Sequence, residues 1–265
     1  MSSTACPAPQ ERFVTGPHGP VYTSDWNRDG SGAPIVLLHD SLGAVALWRD
    51  FPARLAAATG RRVVAYDRAG YGRSAARPAP LDAPSFVAGE VEGDFAAVTK
   101  ALEIGDFVAL GHSIGGSMAI EIAAALPDRC RALISVDAQV FPEEATLAGI
   151  RLAREQFARP EIFARLARYH GDKTQWALDG WIGNWLGAGF AGWSQDDSIG
   201  RVTCPFLIVH GAEDEYGGLA HPRRIAANAR VAAQVCILPG ADHFPHRSQP
   251  QAMLDVTAAF LKDKP

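Results

Sequence analysis

The sequence predicts an α/β fold, with a mostly parallel central sheet, helices on both of its faces and a small helical segment inserted late in the chain. Three observations predict it. Short continuous runs of apolar and β-branched residues recur along the chain, as strands buried on both faces require. Helix-patterned stretches separate them, which is the order of βαβ units. One long span, Phe141 to about Gly200, carries no strand pattern, while Arg, Ala, Leu and Phe recur there at helical spacing. The chain has 265 residues and is 48% hydrophobic, enough for one substantial core, so a single large domain with an insertion is expected. Its core takes 1–140 and 201–265, and a helical cap takes 141–200.

Taken in order, residues 1–12 contain Ser, Pro and Gln without the apolar segment of a signal peptide, and they read as a loose tail. Between Arg12 and Trp26, two extended runs flank Gly16-Pro17-His18-Gly19, a turn-rich connector that predicts a leading hairpin. Ile35–Leu38 and Arg62–Tyr66 are the first parallel strands, with a helix over Trp48–Ala58 between them. A helix over Ala88–Leu102 precedes the strand Phe107–Leu110, and Ser117–Leu126 is helical until Pro127 stops it. Ala132–Val136, Phe206–Val209 and Val235–Leu238 are the later strands. Pro222–Asn228 and Gln251–Leu261 are the helices that follow the insertion.

Composition excludes several functions. Lys and Arg number 25 against 29 Asp and Glu, a net charge of −4, and no basic block is present, so nucleic acid is not an expected partner. Cys6, Cys130, Cys204 and Cys236 form no Cys-x-x-Cys pair, which argues against a thiolate metal site and fits reduced thiols in the cytoplasm. No run approaches the ~18 apolar residues of a membrane span. Glycine-rich loops of the nucleotide-binding kinds are absent too, so neither a cofactor nor a metal is implied. The expected partner is a small molecule.

The most informative stretch is Gly111-His112-Ser113-Ile114-Gly115-Gly116, a serine between glycines where a strand ends and a helix begins. A serine on such a turn is held in strained geometry with its hydroxyl in the open, and glycines let strand and helix approach. A serine hydroxyl is a weak nucleophile unless a base removes its proton, and the base needs an orienting partner. His243, in Gly240-Ala241-Asp242-His243-Phe244-Pro245-His246, follows the last strand and is the favoured base, with His246 a competitor. His112 and His210 have structural explanations; His18, His170 and His221 read as surface residues. Asp214 follows a strand and precedes the histidine, with Glu213, Glu215 and Asp137 as rivals. An acyl-transfer oxyanion needs two N–H donors, which the main chain of Ile114 and of Ser41, in the loop His39-Asp40-Ser41-Leu42-Gly43, would supply.

With these pieces assembled, the chain resembles the α/β-hydrolase fold superfamily, of the capped serine-hydrolase, esterase-like type. The resemblance rests on the 111–116 turn, on Asp67-Arg68-Ala69-Gly70-Tyr71-Gly72-Arg73-Ser74, on Gly211–Asp214 and on Gly240–Pro245, in the family's order. It implies Ser113 as nucleophile, Asp214 as acid, His243 as base and the N–H groups of Ser41 and Ile114 as the oxyanion hole. It also implies hydrolysis of a small, fairly apolar carboxylic ester or related acyl compound. Carbon–carbon bond hydrolysis with the same residues, or a small-molecule receptor with slow or no turnover, are the alternatives. Many members have His-Gly where this chain has His39-Asp40, which places a carboxylate near the site, either paired with Arg68 or Arg73 or biasing the substrate's charge. Trp176, Trp181, Trp185 and Trp193 lie in the expected cap, and Trp181 and Trp185 are the expected pocket residues.

Overall fold

The computed structural model describes residues 8–264. Eight strands form one sheet: β1 (Gln10–Gly16), β2 (Gly19–Trp26), β3 (Ile35–Leu38), β4 (Val63–Tyr66), β5 (Phe107–His112), β6 (Cys130–Val136), β7 (Phe206–Gly211) and β8 (Gln234–Leu238). Their spatial order is β1-β2-β4-β3-β5-β6-β7-β8. The leading hairpin pairs antiparallel with β4, and every later pairing is parallel.

Alternation within the central strands divides them between two cores. Val36, Leu38, Ala109, Leu133 and Ile208 face one layer of helices, while Ile35, Leu37, Val108, Leu110 and Ile134 face the other. Both sets are shut off from water, which is why these strands read as unbroken apolar runs. The helices are α1 (Phe51–Thr59), α2 (Ser85–Gly89), α3 (Asp94–Ala101), α4 (Ile114–Ala125), α5 (Glu144–Phe157), α6 (Pro160–His170), α7 (Thr174–Leu178), α8 (Asn184–Leu186), α9 (Asp196–Arg201), α10 (Ala220–Asn228), α11 (Pro245–Ser248) and α12 (Pro250–Leu261).

Three expectations are corrected. Gln10–Arg12 belong to β1 rather than to a tail; residues 1–7 lie outside the described residues. The helix expected over 88–102 is two helices, because the Glu90 carboxylate turns inward between them and accepts from the Tyr66 hydroxyl at 2.6 Å and the Phe95 N–H at 3.0 Å. The helix expected from Trp48 is a 3-10 turn over Val45–Trp48 followed by α1, with Pro52 in its first turn.

All elements between β6 and β7 are helical. The chain leaves the sheet after Val140 and returns at Gln195, whose N–H donates to the Val140 carbonyl at 3.0 Å. The Gln195 amide also donates to the Ser117 carbonyl and the Glu121 carboxylate. α9, which follows, packs on α4 and α10 beside the sheet. Among the described residues no helix is long and apolar enough to cross a membrane.

Candidate active site

Ser113 sits between β5 and α4 with φ 56° and ψ −125°, a conformation an L residue adopts only under constraint, at a cost of about 1–3 kcal/mol. The constraint comes from close approach. A Cβ on Gly111 would lie 2.0 Å from the Gly115 carbonyl oxygen, and one on Gly115 would lie 2.3 Å from that of Leu38. Only glycines let α4 start this close to β3 and β5. Of the N–H groups at the start of α4, that of Gly116 donates to the Ser113 carbonyl at 2.8 Å, while that of Ile114, the first, has no partner among the described residues.

His243 follows β8 and is shut off from solvent except toward a cavity of about 340 Å³ that Ser113 also lines. Its Nδ1 lies 2.9 Å from both oxygens of Asp214. Asp214 is held in turn by the N–H groups of Tyr216 at 2.7 Å and Gly217 at 3.0 Å, both donating to Oδ1. The surrounding histidines fix these loops: the His112 Nε2–H donates to the His243 carbonyl at 2.6 Å, and the His210 Nε2–H donates to the Gly217 carbonyl at 2.9 Å. Glu215, a rival for the acid, accepts the His243 main-chain N–H at 3.1 Å and leaves the ring to Asp214.

Electrostatics separates the groups. Burial works against a charge on Asp214, yet His243, His210 and the Tyr216 N–H outweigh it and hold the carboxyl down at about 2. Burial likewise opposes the His243 imidazolium, but the Asp214 charge and hydrogen bond prevail and its pKa is raised above 6.5. Asp137, at the end of β6, is fully buried, and burial together with the Asp214 charge drives its pKa well up. Its Oδ1 accepts from the Gly211 N–H at 2.7 Å. Asp137, Asp214 and His243 place ligand-type atoms within 4.8 Å of one another, the one such trio among the described residues; backbone N–H groups donate to Oδ1 of each carboxylate, both Asp214 oxygens face His243, and Asp137 Oδ2 is buried without a partner. Neutral His243, with its proton on Nδ1 facing Asp214, leaves Nε2 free to accept one. Among the described residues no direct Ser113–His243 hydrogen bond forms, and such bonds commonly tighten only around substrate.

The loop carrying Ser41 is braced from below. Arg68 donates from its guanidinium to the carbonyls of His39 and Asp40, and from its main chain to His39 Nε2 at 3.1 Å. Arg68 therefore grips the Asp40 backbone, and Arg73 pairs with Glu11 at 2.8 Å, so neither guanidinium pairs with the Asp40 carboxylate. That carboxylate folds over Gly43, where a Cβ would lie 2.2 Å from it, and it lines the cavity. The Asp67–Ser74 loop closes this side: Asp67 accepts from Val45 N–H and Arg73 N–H, and Gly70 and Gly72 make room for Trp176 and for the Asp67 carboxylate.

The structure separates residues that the sequence could not. Ser41, Trp181 and His243 line the cavity with Ser113, and Ile114 adjoins it. Trp185 does not: it is 3% exposed, stacked on Phe190 at 4.5 Å, beneath the helical cover. Trp181 meets Tyr216 and Phe157, whereas Trp185, four residues on, meets Phe190 and Trp193. His246 is buried among Trp48 and Phe51, away from the cavity. His170 and His221, expected at the surface, are buried clips: His170 Nδ1 accepts from the Gly72 N–H and its Nε2–H donates to the Leu42 carbonyl, and His221 accepts from the Val140 N–H. Sequence reasoning missed Gln139, Tyr216, Phe244, Arg165, Arg168 and Arg247, all in the cavity wall.

The model of the alpha/beta hydrolase family matches residues 35–256. The chain belongs to that family. Similar proteins include a non-heme haloperoxidase of Rhodococcus erythropolis, 28% identical over 87% of this chain and 92% of the relative. A non-heme chloroperoxidase of Streptomyces lividans is 25% identical over 91% of this chain and 96% of its own length. The fold is similar to that of a bacterial membrane phospholipase A, with a TM-score of 0.77 at 20% identity, covering 96% of this chain and 86% of that one. For a member of this family, the ordering of parallel strands around β5 brings the ends of β5, β7 and β8 to one rim, where Ser113, Asp214 and His243 stand.

Proposed function

We propose that this alpha/beta hydrolase cleaves a small carboxylic ester or related acyl compound through an acyl-enzyme on Ser113. One observation carries the reading: a serine in strained geometry and an imidazole doubly held by a charged carboxylate open on the same cavity. His243 Nε2 takes the Ser113 proton as Oγ attacks the carbonyl carbon, and the imidazolium returns that proton to the leaving alcohol. Water then attacks the ester on Ser113 with His243 again as base, releasing the acid and restoring the hydroxyl. The Ser41 and Ile114 N–H groups receive the oxyanion, each worth about 100- to 1,000-fold in turnover.

The measurement is hydrolysis of short-chain 4-nitrophenyl esters. Ser113→Ala and His243→Ala should each remove most turnover, and the double variant should lose little more, because the residues act as a unit. Turnover that persists unchanged in Ser113→Ala sinks the assignment. The haloperoxidase relatives favour a second reading, in which hydrogen peroxide replaces water in attack on the acyl-Ser113 and leaves as a peracid. Peracid formation from acetate esters and peroxide, lost in Ser113→Ala, distinguishes it.

A further inference from the structure

The cavity beside Ser113 is cationic although the protein as a whole is not. Four arginines line it, Arg49, Arg165, Arg168 and Arg247, against one carboxylate, Asp40, while the chain carries a net charge of −4. No carboxylate lies within ion-pair distance of any of the four among the described residues. Arg165 and Arg168 are three residues apart on α6, on the face that also gives Ile162, Leu166 and Tyr169 to the cavity.

Arg247 lines the same cavity from α11, four residues past His243. It is half-buried and stacked on the Phe244 ring at 4.5 Å, and its Nε is shut off from solvent without a hydrogen-bond partner. A partly desolvated guanidinium fixed on an aromatic face, with a donor unsatisfied, is built to receive a planar anion. Asp40 is the acidic counterweight, but it is held back over Gly43 and at 3.9 Å from His112 Nδ1. A cleft lined by one sign of charge also concentrates oppositely charged substrate.

We infer that the substrate is an anion, an ester or related acyl compound bearing a carboxylate at the end away from the scissile bond, and that Arg247, with Arg165, Arg168 and Arg49, selects it. The hydrolytic half of this inference rests on the Ser113 reading. The carboxylate sits against the Arg247 guanidinium while the acyl carbon faces Ser113, with the apolar chain between them against Trp181, Leu166 and Phe157.

The test compares 4-nitrophenyl hydrogen adipate with neutral 4-nitrophenyl hexanoate, which share a chain length and leaving group. The wild-type protein should favour the anion by about tenfold or more in kcat/KM. That ratio should fall toward one in Arg247→Gln, be partly retained in Arg247→Lys, and shrink between 0.1 and 1 M salt as the screening length drops from about 10 to about 3 Å. Free adipate should raise the melting temperature of the wild type and not of Arg247→Gln. A wild-type preference for the neutral ester, or an unchanged ratio in folded Arg247→Gln, overturns the inference. If neither ester is hydrolysed, the Ser113 reading fails, and the adipate shift alone then decides whether the cavity binds anions.

Discussion

Replacing Asp214 by asparagine changes one atom of the side chain and should disable the site through tautomer rather than through shape. In the wild type, Oδ1 receives the Tyr216 and Gly217 N–H groups at 2.7 and 3.0 Å. An asparagine must keep its carbonyl oxygen on these donors, so its NH₂ takes the place of Oδ2, 2.9 Å from His243 Nδ1. Nδ1 then accepts, the ring proton moves to Nε2, and Nε2 can no longer take the Ser113 proton. The same change in a Ser-His-Asp protease lowers kcat about 10⁴-fold, and a loss on the order of 10³- to 10⁴-fold is expected here. Stability changes as well. The Asp214 carboxyl is depressed from 3.8 to about 2, which at ~1.4 kcal/mol per unit is about 2 kcal/mol favouring the folded, charged form. Because the folded pKa is the lower one, this contribution is present above about pH 4 and is lost as pH falls toward 2. The assay is 4-nitrophenyl ester turnover with a parallel acid titration of folding. A folded Asp214→Asn protein that loses less than tenfold in kcat refutes the tautomer argument.

The activity profile follows from the same pair. The base must be neutral and its pKa is raised, so kcat/KM should climb through a midpoint above pH 6.5, and a profile flat from pH 5 to 9 counts against His243. The tryptophans should separate by role. Trp185→Ala empties a buried stack and should cost about 3–5 kcal/mol in unfolding experiments, whereas Trp181→Ala should act chiefly on KM. Equal KM effects from both would mean that Trp185 reaches the substrate.

How much of this was legible beforehand depends on what each signal encodes. Central strands such as Ile35–Leu38 are buried on both faces, and that leaves an unbroken apolar run any reading detects. The Ser113 turn was legible because its glycines answer a local demand, the close approach of α4 to β3 and β5. The break between α2 and α3 was not, since it comes from Glu90 meeting Tyr66, a partner far along the chain. His170 and His221 read as surface residues because their partners, the Gly72 and Val140 N–H groups, belong to loops that only the fold brings near. Arg165 and Arg168 look in sequence like the solvated face of a helix. Only the placement of α6 over Ser113 turns that face into a cavity wall.

Whether Ser113 is the nucleophile is decided by a fluorophosphonate probe with site mapping by mass spectrometry. One adduct is expected, on Ser113, formed faster as His243 loses its proton and absent from Ser113→Ala. An adduct on another residue, or none on the folded protein under conditions that label a serine esterase, contradicts that role.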